Sequence, residues 1–309
     1  MTTDVRLTQV PVTVLDDKGA PVTNINKSNF RIVEDGVEQQ ALYLDKEREP
    51  VSFVIVADMS QSMTNKIPFV REAALSILDP QHAIDRIPDE FALFGFESRV
   101  TRLVSFSLDQ QDLESRIPLL VNPTEGSTAL FDALYEGAAE ARERGRNHRR
   151  ALIVITDGGD NHSRYNFRET KKFLEEADVS VFAVMAGPLF ELSDLLPLPE
   201  KKPHANNLPL PTPAKDFVGP NERQGPRILK RLTEVTGGSV FTAHDLNDLP
   251  RIVQTIALAV RFQYLLSYQS SGPSVKQSKW HRIHIELDPQ ERFRRYSLFY
   301  KQGYFSGPE

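Results

Sequence analysis

The sequence predicts an α/β protein: a Rossmann-like, mostly parallel central sheet flanked by helices, with a small β domain built from both chain termini. Three observations predict it. Residues 51–57 form an unbroken apolar run, the pattern of a strand buried on both faces. From Val51 onward such runs alternate with amphipathic stretches of helical period, as in a parallel sheet whose crossovers are helices. Before Val51 and after Arg261 the pattern changes to short strands of period two, too few at either end to be stable alone, so the two ends are expected to pair. The chain thus divides into an N-terminal β segment over residues 1–49, an α/β domain over 50–262 with a proline-rich insertion at 188–226, and a C-terminal β segment over 263–309.

In the first segment Val10, Val12 and Val14 alternate with polar neighbours and Pro11, which reads as an edge strand. Val5 and Leu7 have the opposite parity, so a bulge or break is expected near Thr8. Asp16-Asp17-Lys18-Gly19 is a turn signal, and Asp35-Gly36 suggests a hairpin from Phe30 and Ile32 into residues 37–44. Residues 46–50 read as a charged connection ending on Pro50.

In the α/β block the pattern predicts a helix over 67–78, with Pro68 tolerated in its first turn. A strand over 91–96 and a polar edge strand over 99–105 follow, then a short helix around Leu113 and Ile117. Residues 128–144 form a helix with Leu130, Leu134, Ala138 and Ala141 on one face. Residues 151–156 are another buried strand, followed by a helix over 167–177 and a strand over 179–185. The stretch 188–226 has no period and is too long for an ordinary connection. A helix with Ile228, Leu232 and Val235 then closes on Gly237-Gly238, and a short strand covers 239–242. Asp245 is the expected N-cap of a long helix carrying Leu249, Ile252, Ile256 and Val260. Strands over 262–268, around Ile283, Ile285 and Leu287, and over 295–300 complete the chain.

At 309 residues with 40% hydrophobic and 26% charged, the chain has the composition of a globular protein with a sizeable core. A net charge of -5 argues against a nucleic-acid binder that relies on a broad basic surface. The absence of cysteine excludes disulfides, zinc-thiolate sites and thiol nucleophiles. No apolar run reaches membrane-spanning length, and the start lacks the basic and apolar regions of an export signal. Neither G-x-G-x-x-G after a strand, nor a Walker sequence, nor a G-x-S-x-G elbow occurs, which weakens nucleotide-enzyme and serine-hydrolase readings.

The chemistry gathers at strand ends. Asp58, Ser60 and Ser62 follow the first buried strand, Gly126-Ser127-Thr128 precedes a helix, and Asp157 follows a later strand. In an open sheet these loops share the carboxyl edge, where ligands bind near the reversal of strand order. Their side chains offer only oxygens, two carboxylates and three hydroxyls, which suits a hard cation: Mg²⁺ first, with Mn²⁺ or Ca²⁺ as alternatives. Neutral hydroxyls compensate the cation's charge poorly, so an open position would attract an outside carboxylate. Asp132, Asp160 and Asn161 are candidates for a place behind these ligands or at the rim.

The order D-x-S-x-S (Asp58 to Ser62), then Thr128 in EGSTALFDAL, then Asp157 in ITDGGDN resembles the von Willebrand factor type A domain with a metal-ion-dependent adhesion site. All five positions match, and the likeness extends over roughly residues 50–262. The flanks, with DGVEQQ early and RFQYLLSYQ late, resemble a bacterial subgroup in which β segments bracket this fold; the insertion at 188–226 departs from the compact pattern. The resemblance implies that Ser60, Ser62 and Thr128 touch the metal, that Asp58 and Asp157 bind it directly or through water, and that the cation bridges to an Asp or Glu of a protein partner. It implies a non-enzymatic interaction or adhesion module, secreted or in the cell envelope. A Mg²⁺-dependent hydrolase acting on a phosphoester and a structural assembly scaffold are the alternatives.

Other residues carry blander readings. His162 reads as part of a polar loop rather than a base, and His281 and His284, three apart in a strand, point to opposite faces and read as surface histidines. The arginines of 142–150 suit a solvated helix end better than a phosphate site, and the Leu-Pro repeats of 208–213 a stiff loop better than a polyproline ligand.

Overall fold

In the computed structural model, which describes residues 7–78, 89–121, 126–186, 225–270, 279–288 and 295–306, the terminal segments supply strands to two antiparallel sheets. The N-terminal strands are β1 (Leu7–Leu15), β2 (Phe30–Glu34), β3 (Val37–Gln39) and β4 (Ala41–Arg48). The α/β layer follows: β5 (Val51–Asp58), α1 (Ile67–Leu78), β6 (Glu90–Phe96), β7 (Val100–Ser107), α2 (Gln110–Arg116), α3 (Leu130–Arg144), β8 (Arg149–Thr156), α4 (Phe167–Glu176), β9 (Ser180–Ala186), α5 (Gly225–Val235), β10 (Val240–Ala243) and α6 (Asp248–Arg261). The chain then adds β11 (Phe262–Gln269), β12 (Trp280–Leu287), β13 (Ser297–Tyr300) and β14 (Gly303–Phe305).

The central sheet has the order β10-β9-β8-β5-β6-β7. Its pairings are parallel except for β7, which runs antiparallel at one edge, as its more polar sequence suggests. Every position of β5 is buried, because helices cover both faces. Ile55 and Ile153 pack with α1 and α6, while Val56 and Leu152 pack with α3 and α5. Helix α3 comes unusually close at Gly137: a Cβ there would sit 2.6 Å from Leu152 Cδ1 and 2.9 Å from Val56 Cγ2. The chain moves outward from β5 to β6 and β7, then returns to β8 on the other side. Strand order therefore reverses between β5 and β8, whose carboxyl ends carry Asp58 and Asp157.

The flanking sheets are β13-β1-β11-β4 and β14-β12-β2-β3, and each mixes strands from both termini. Val10, Val12, Ile32, Leu266 and Ile285 form their shared core. Several expectations need correcting here. β1 is an internal strand, paired with β11 over residues 7–12 and with β13 over 12–15. Pro11 lies where β13 does not reach, so its missing N–H leaves no ladder bond broken on that side. The register runs unshifted through Thr8, which turns inward with Val10 and Val12 while Leu7 stays exposed; Val5 lies outside the described residues. The Asp35-Gly36 hairpin is present, both residues having positive φ, but its second arm splits: β3 stays with β2 and β4 crosses to β11. β4 extends to Arg48, so the charged stretch at 46–48 is strand and only Glu49-Pro50 connects.

Helix α6 starts at Asp248 after Asn247, and Asp245 instead accepts the Asn247 N–H at 2.7 Å within the preceding turn. His281 is buried, 8% exposed, with Nδ1 3.0 Å from Asp35 Oδ2 and its ring stacked on Tyr304; His284 is exposed and contacts Glu286. The arginine run disperses into ion pairs, Arg144 with Glu140 and Arg149 with Glu47. The insertion, the Leu-Pro repeats included, lies outside the described residues apart from Gly225 and Pro226, which open α5. No helix among the described residues is long and apolar enough to cross a membrane.

Candidate metal centre

Asp58 ends β5 with no exposed surface. Its Oδ1 accepts the Ser60 N–H at 2.9 Å, and its Oδ2 accepts the Thr156 hydroxyl at 2.6 Å. Thr156 Oγ1 in turn accepts the Gly158 N–H at 2.9 Å, which shapes the turn just past Asp157. Gly158 has a φ of +98, a conformation open to glycine and strained for other residues. The adjacent strands thus fasten their carboxyl ends through one threonine hydroxyl, and two carboxylates face the same space.

The cost of that placement shows on Asp58. Burial, then the nearby Asp157 charge, push its carboxyl up to about 7, against the opposing hydrogen bonds from Thr156 and Ser60. The cation found beside this pair is Lys66, whose Nζ lies 3.1 Å from Asp157 Oδ2. Lys66 sits in the turn over Gln61–Lys66 that leads into α1.

Ser60 is fully buried, and its Oγ lies 3.2 Å from that of Ser62, which is exposed. The Thr128 loop is held against both other loops. A Cβ on Gly126 would sit 2.2 Å from Gln61 Oε1 and 3.0 Å from Gln61 Cβ, so the 126–129 stretch lies directly against the serine turn. Thr128 N–H donates to Asn161 Oδ1 at 2.7 Å, and Thr128 O accepts from the N–H groups of Asn161 and His162. Thr128 is 3% exposed, and its hydroxyl has no hydrogen-bond partner among the described residues.

The helix after Thr128 starts two residues later than its apolar period suggests, and its first N–H groups are capped from a distance. Asp160 Oδ1 accepts the Phe131 N–H at 3.2 Å and the Ser163 hydroxyl, and Ser163 Oγ accepts the Asp132 N–H at 3.1 Å. Burial raises the Asp160 carboxyl above its usual range. The Asp132 carboxylate reaches the other way and accepts the N–H groups of Arg164 and Tyr165 and the Arg164 Nε–H, at 2.8–3.0 Å. Asp132, Asp160 and Asn161 therefore lock the loop after β8 onto the start of α3. His162 contributes only its backbone, its side chain being exposed.

The structure brings together the loops carrying all five sequence-predicted ligands. Among the described residues no cluster of three or more His, Cys, Asp and Glu side chains forms a metal site, because this arrangement draws on two carboxylates and three hydroxyls instead. Two contributors escaped the sequence reading. Thr156 left a faint signal, a lone hydroxyl closing an apolar run. Lys66 left none, since its contact with Asp157 spans 91 residues.

Residues 53–159 match the sequence model of the von Willebrand factor type A domain. Among solved structures the chain is similar to a von Willebrand factor type A protein from Catenulispora acidiphila, at 11% identity and TM-score 0.48, covering 99% of this chain and 75% of that one. It is also similar to proximal thread matrix protein 1 from the mussel byssus, solved with a zinc-occupied MIDAS motif, at 16% identity and TM-score 0.51, covering 74% of this chain and 50% of that one. The PilB minor pilin from Streptococcus sanguinis aligns at 13% identity and TM-score 0.44, covering 68% of this chain and 61% of that one. The chain thus spans half the length of the mussel protein, and likeness at this identity establishes the fold. No curated protein matches the chain.

Proposed function

We propose that the α/β layer, whose residues 53–159 match the von Willebrand factor type A sequence model, is a metal-dependent protein-binding module, in keeping with a family that generally mediates protein interactions or adhesion. Asp58, Ser60, Ser62, Thr128 and Asp157 hold a divalent cation, Mg²⁺ being the first candidate. The bound cation supplies an electrophilic position for an Asp or Glu carboxylate of the partner. The observation that carries this reading is the pairing of Asp58 and Asp157 at the strand reversal, with Lys66 as the local counter-charge.

The donor set fits a hard cation. Two carboxylates and three hydroxyls leave the metal short of negative charge, which favours an incoming carboxylate over water. The hydrogen bonds already made by Asp58 orient it and leave each oxygen a further lone pair, as suits an acid that acts on a metal directly or through water. His162 exposes its side chain and contacts Thr128 only through its backbone N–H. The mussel protein's zinc-occupied motif supports a divalent cation at this position of the fold.

The test is direct. Calorimetric titration of the full chain with Mg²⁺, Mn²⁺ and Ca²⁺ is expected to show one site, lost in Asp58→Ala and Ser60→Ala while far-UV circular dichroism stays unchanged. Affinity capture of partners is expected to fail in the same variants and in excess chelator. Full capture under those conditions refutes the proposal.

A further inference from the structure

The opposite end of β8 opens on a separate feature. Eight residues of strand, about 25 Å at ~3.3 Å each, separate Asp157 from a cavity of about 320 Å³ between the α/β layer and the terminal sheets. This is the lower end of the range for small-molecule sites. Val10, Leu265, Ile283 and Phe299 supply apolar wall, and Glu47, Arg149, Arg150, Asp178 and Lys301 bring charge to it.

The charges are unevenly satisfied. Arg149 is fully engaged: Nη1 donates to the carbonyls of Val260 and Arg261, and Nη2 to Glu47. Arg150 and Lys301 differ. Arg150 Nε is buried with no hydrogen-bond partner, and neither side chain forms an ion pair among the described residues. Asp178 and Glu175 act on Lys301 only through space, and burial holds its amine below the usual range despite them. Native proteins seldom leave a buried cationic donor unmet, because it has lost its water without gaining a partner.

We propose that this cavity binds a small organic anion, a carboxylate on an apolar body, whose oxygens accept from Arg150 and Lys301 while the body lies against Val10, Leu265, Ile283 and Phe299. Two features select this chemistry over inorganic phosphate. Apolar side chains stand beside the two cations, and the carboxylates of Glu47 and Asp178 in the same lining repel a doubly charged anion more than a singly charged one. Nothing here depends on a metal at the other end of the sheet.

Thermal unfolding of the full chain, in benzoate or hexanoate against chloride and phosphate at matched ionic strength, tests the idea. Both carboxylates are expected to raise Tm by a few degrees where chloride and phosphate do not. The double variant Arg150→Gln, Lys301→Met is expected to lose that response, with the dissociation constant for benzoate rising about tenfold or more. Should the double variant fail to fold, Lys301→Met alone, which keeps the aliphatic stem, takes its place with the same expected loss of response. An unresponsive wild type, an equal response in the variant, or phosphate acting as strongly as the carboxylates each overturn the proposal.

Discussion

At the amino end of the central sheet Arg261 pairs with Asp89, both almost fully buried, while Asp89 Oδ1 also accepts the Val51 N–H at 2.8 Å. Arg149 nearby is held by Glu47 and two backbone carbonyls. At the carboxyl end Asp58 and Asp157 face each other, and Lys66 answers them from a flexible stem that is 20% exposed. Arg261 and Arg149 are thus each coupled to a fixed partner of opposite sign, whereas the carboxyl end gathers two acids around a replaceable cation. A fixed pair serves folding, because breaking it strands a charge in a poor solvent. A strained acid pair is tolerated where a ligand of the right charge relieves it. The buried pairs at the amino end hold the sheet, and the acid pair at the carboxyl end forms the candidate site.

The largest effect is expected at the structural end. Asp89→Ala leaves Arg261 buried without its carboxylate, which costs about 3–5 kcal/mol, measured by denaturant unfolding. Where the variant remains folded, its titration with Mg²⁺ should match the wild type. A loss of metal binding equal to that of Asp58→Ala would erase the distinction drawn between the two ends.

Asp58→Asn should act in the opposite sense. The folded carboxyl, raised to about 7, holds its proton more tightly than the unfolded one, near 3.8. The folded state therefore binds the extra proton between those values, and stability in chelator should fall as pH rises from about 4 to about 7, at a slope of at most about 1.4 kcal/mol for each pH step of one. Below 4 both states are protonated and the penalty vanishes; above 7 it is fully present. Asp58→Asn should flatten this slope while abolishing metal binding. In the wild type, metal affinity should climb over the same window as Asp58 loses its proton. A chelated protein that gains stability from pH 4 to 7, in a manner that depends on Asp58, contradicts the burial argument.

Much of this arrangement was legible from sequence, for identifiable reasons. β5 and β8 are apolar at nearly every position because both faces are covered, and a run that ends on aspartate marks the carboxyl edge with no knowledge of partners. α1 was readable to the residue, since Pro68 and the apolar period act locally. What escaped reading depended on pairing between distant segments. β1 looks like an edge strand by Pro11 and becomes internal only because β11 and β13 arrive from the far terminus. Gln40 separates β3 from β4 without turn chemistry, because the two strands join different sheets. The cap on α3 comes from Asp160 rather than from the residue before the helix, so local capping rules looked in the wrong place.

Lys66→Met sharpens the comparison with an intermediate effect. A lysine charge about 4 Å from a divalent cation costs binding about 2–8 kcal/mol at effective dielectrics of 80 to 20. Because the side chain can swing into solvent, the lower figure applies, and Mg²⁺ affinity should rise about thirtyfold. An unchanged or weaker affinity means that Lys66 belongs to the fixed charges of the fold and that the carboxyl end is no more replaceable than the amino end.

Arg164→Ala should have the smallest effect, although Arg164 makes more contacts than Lys66. Its guanidinium reaches both Asp132 and Glu136 at 2.8 Å, but the side chain is 72% exposed. Water screens both pairs and competes for them, so exposed ion pairs of this kind contribute little. The part of residue 164 that matters is its backbone N–H, which reaches Asp132 Oδ1 at 2.9 Å and survives the substitution. Removing the acceptor itself, in Asp132→Ala, takes away the anchor for Arg164 and Tyr165 together and frees the loop behind Asp157. Metal affinity should therefore drop several-fold in Asp132→Ala and stay within about twofold of wild type in Arg164→Ala, both read by titration. Equal losses would show that charge rather than backbone anchoring holds the loop, and the candidate centre would then weaken steeply with salt.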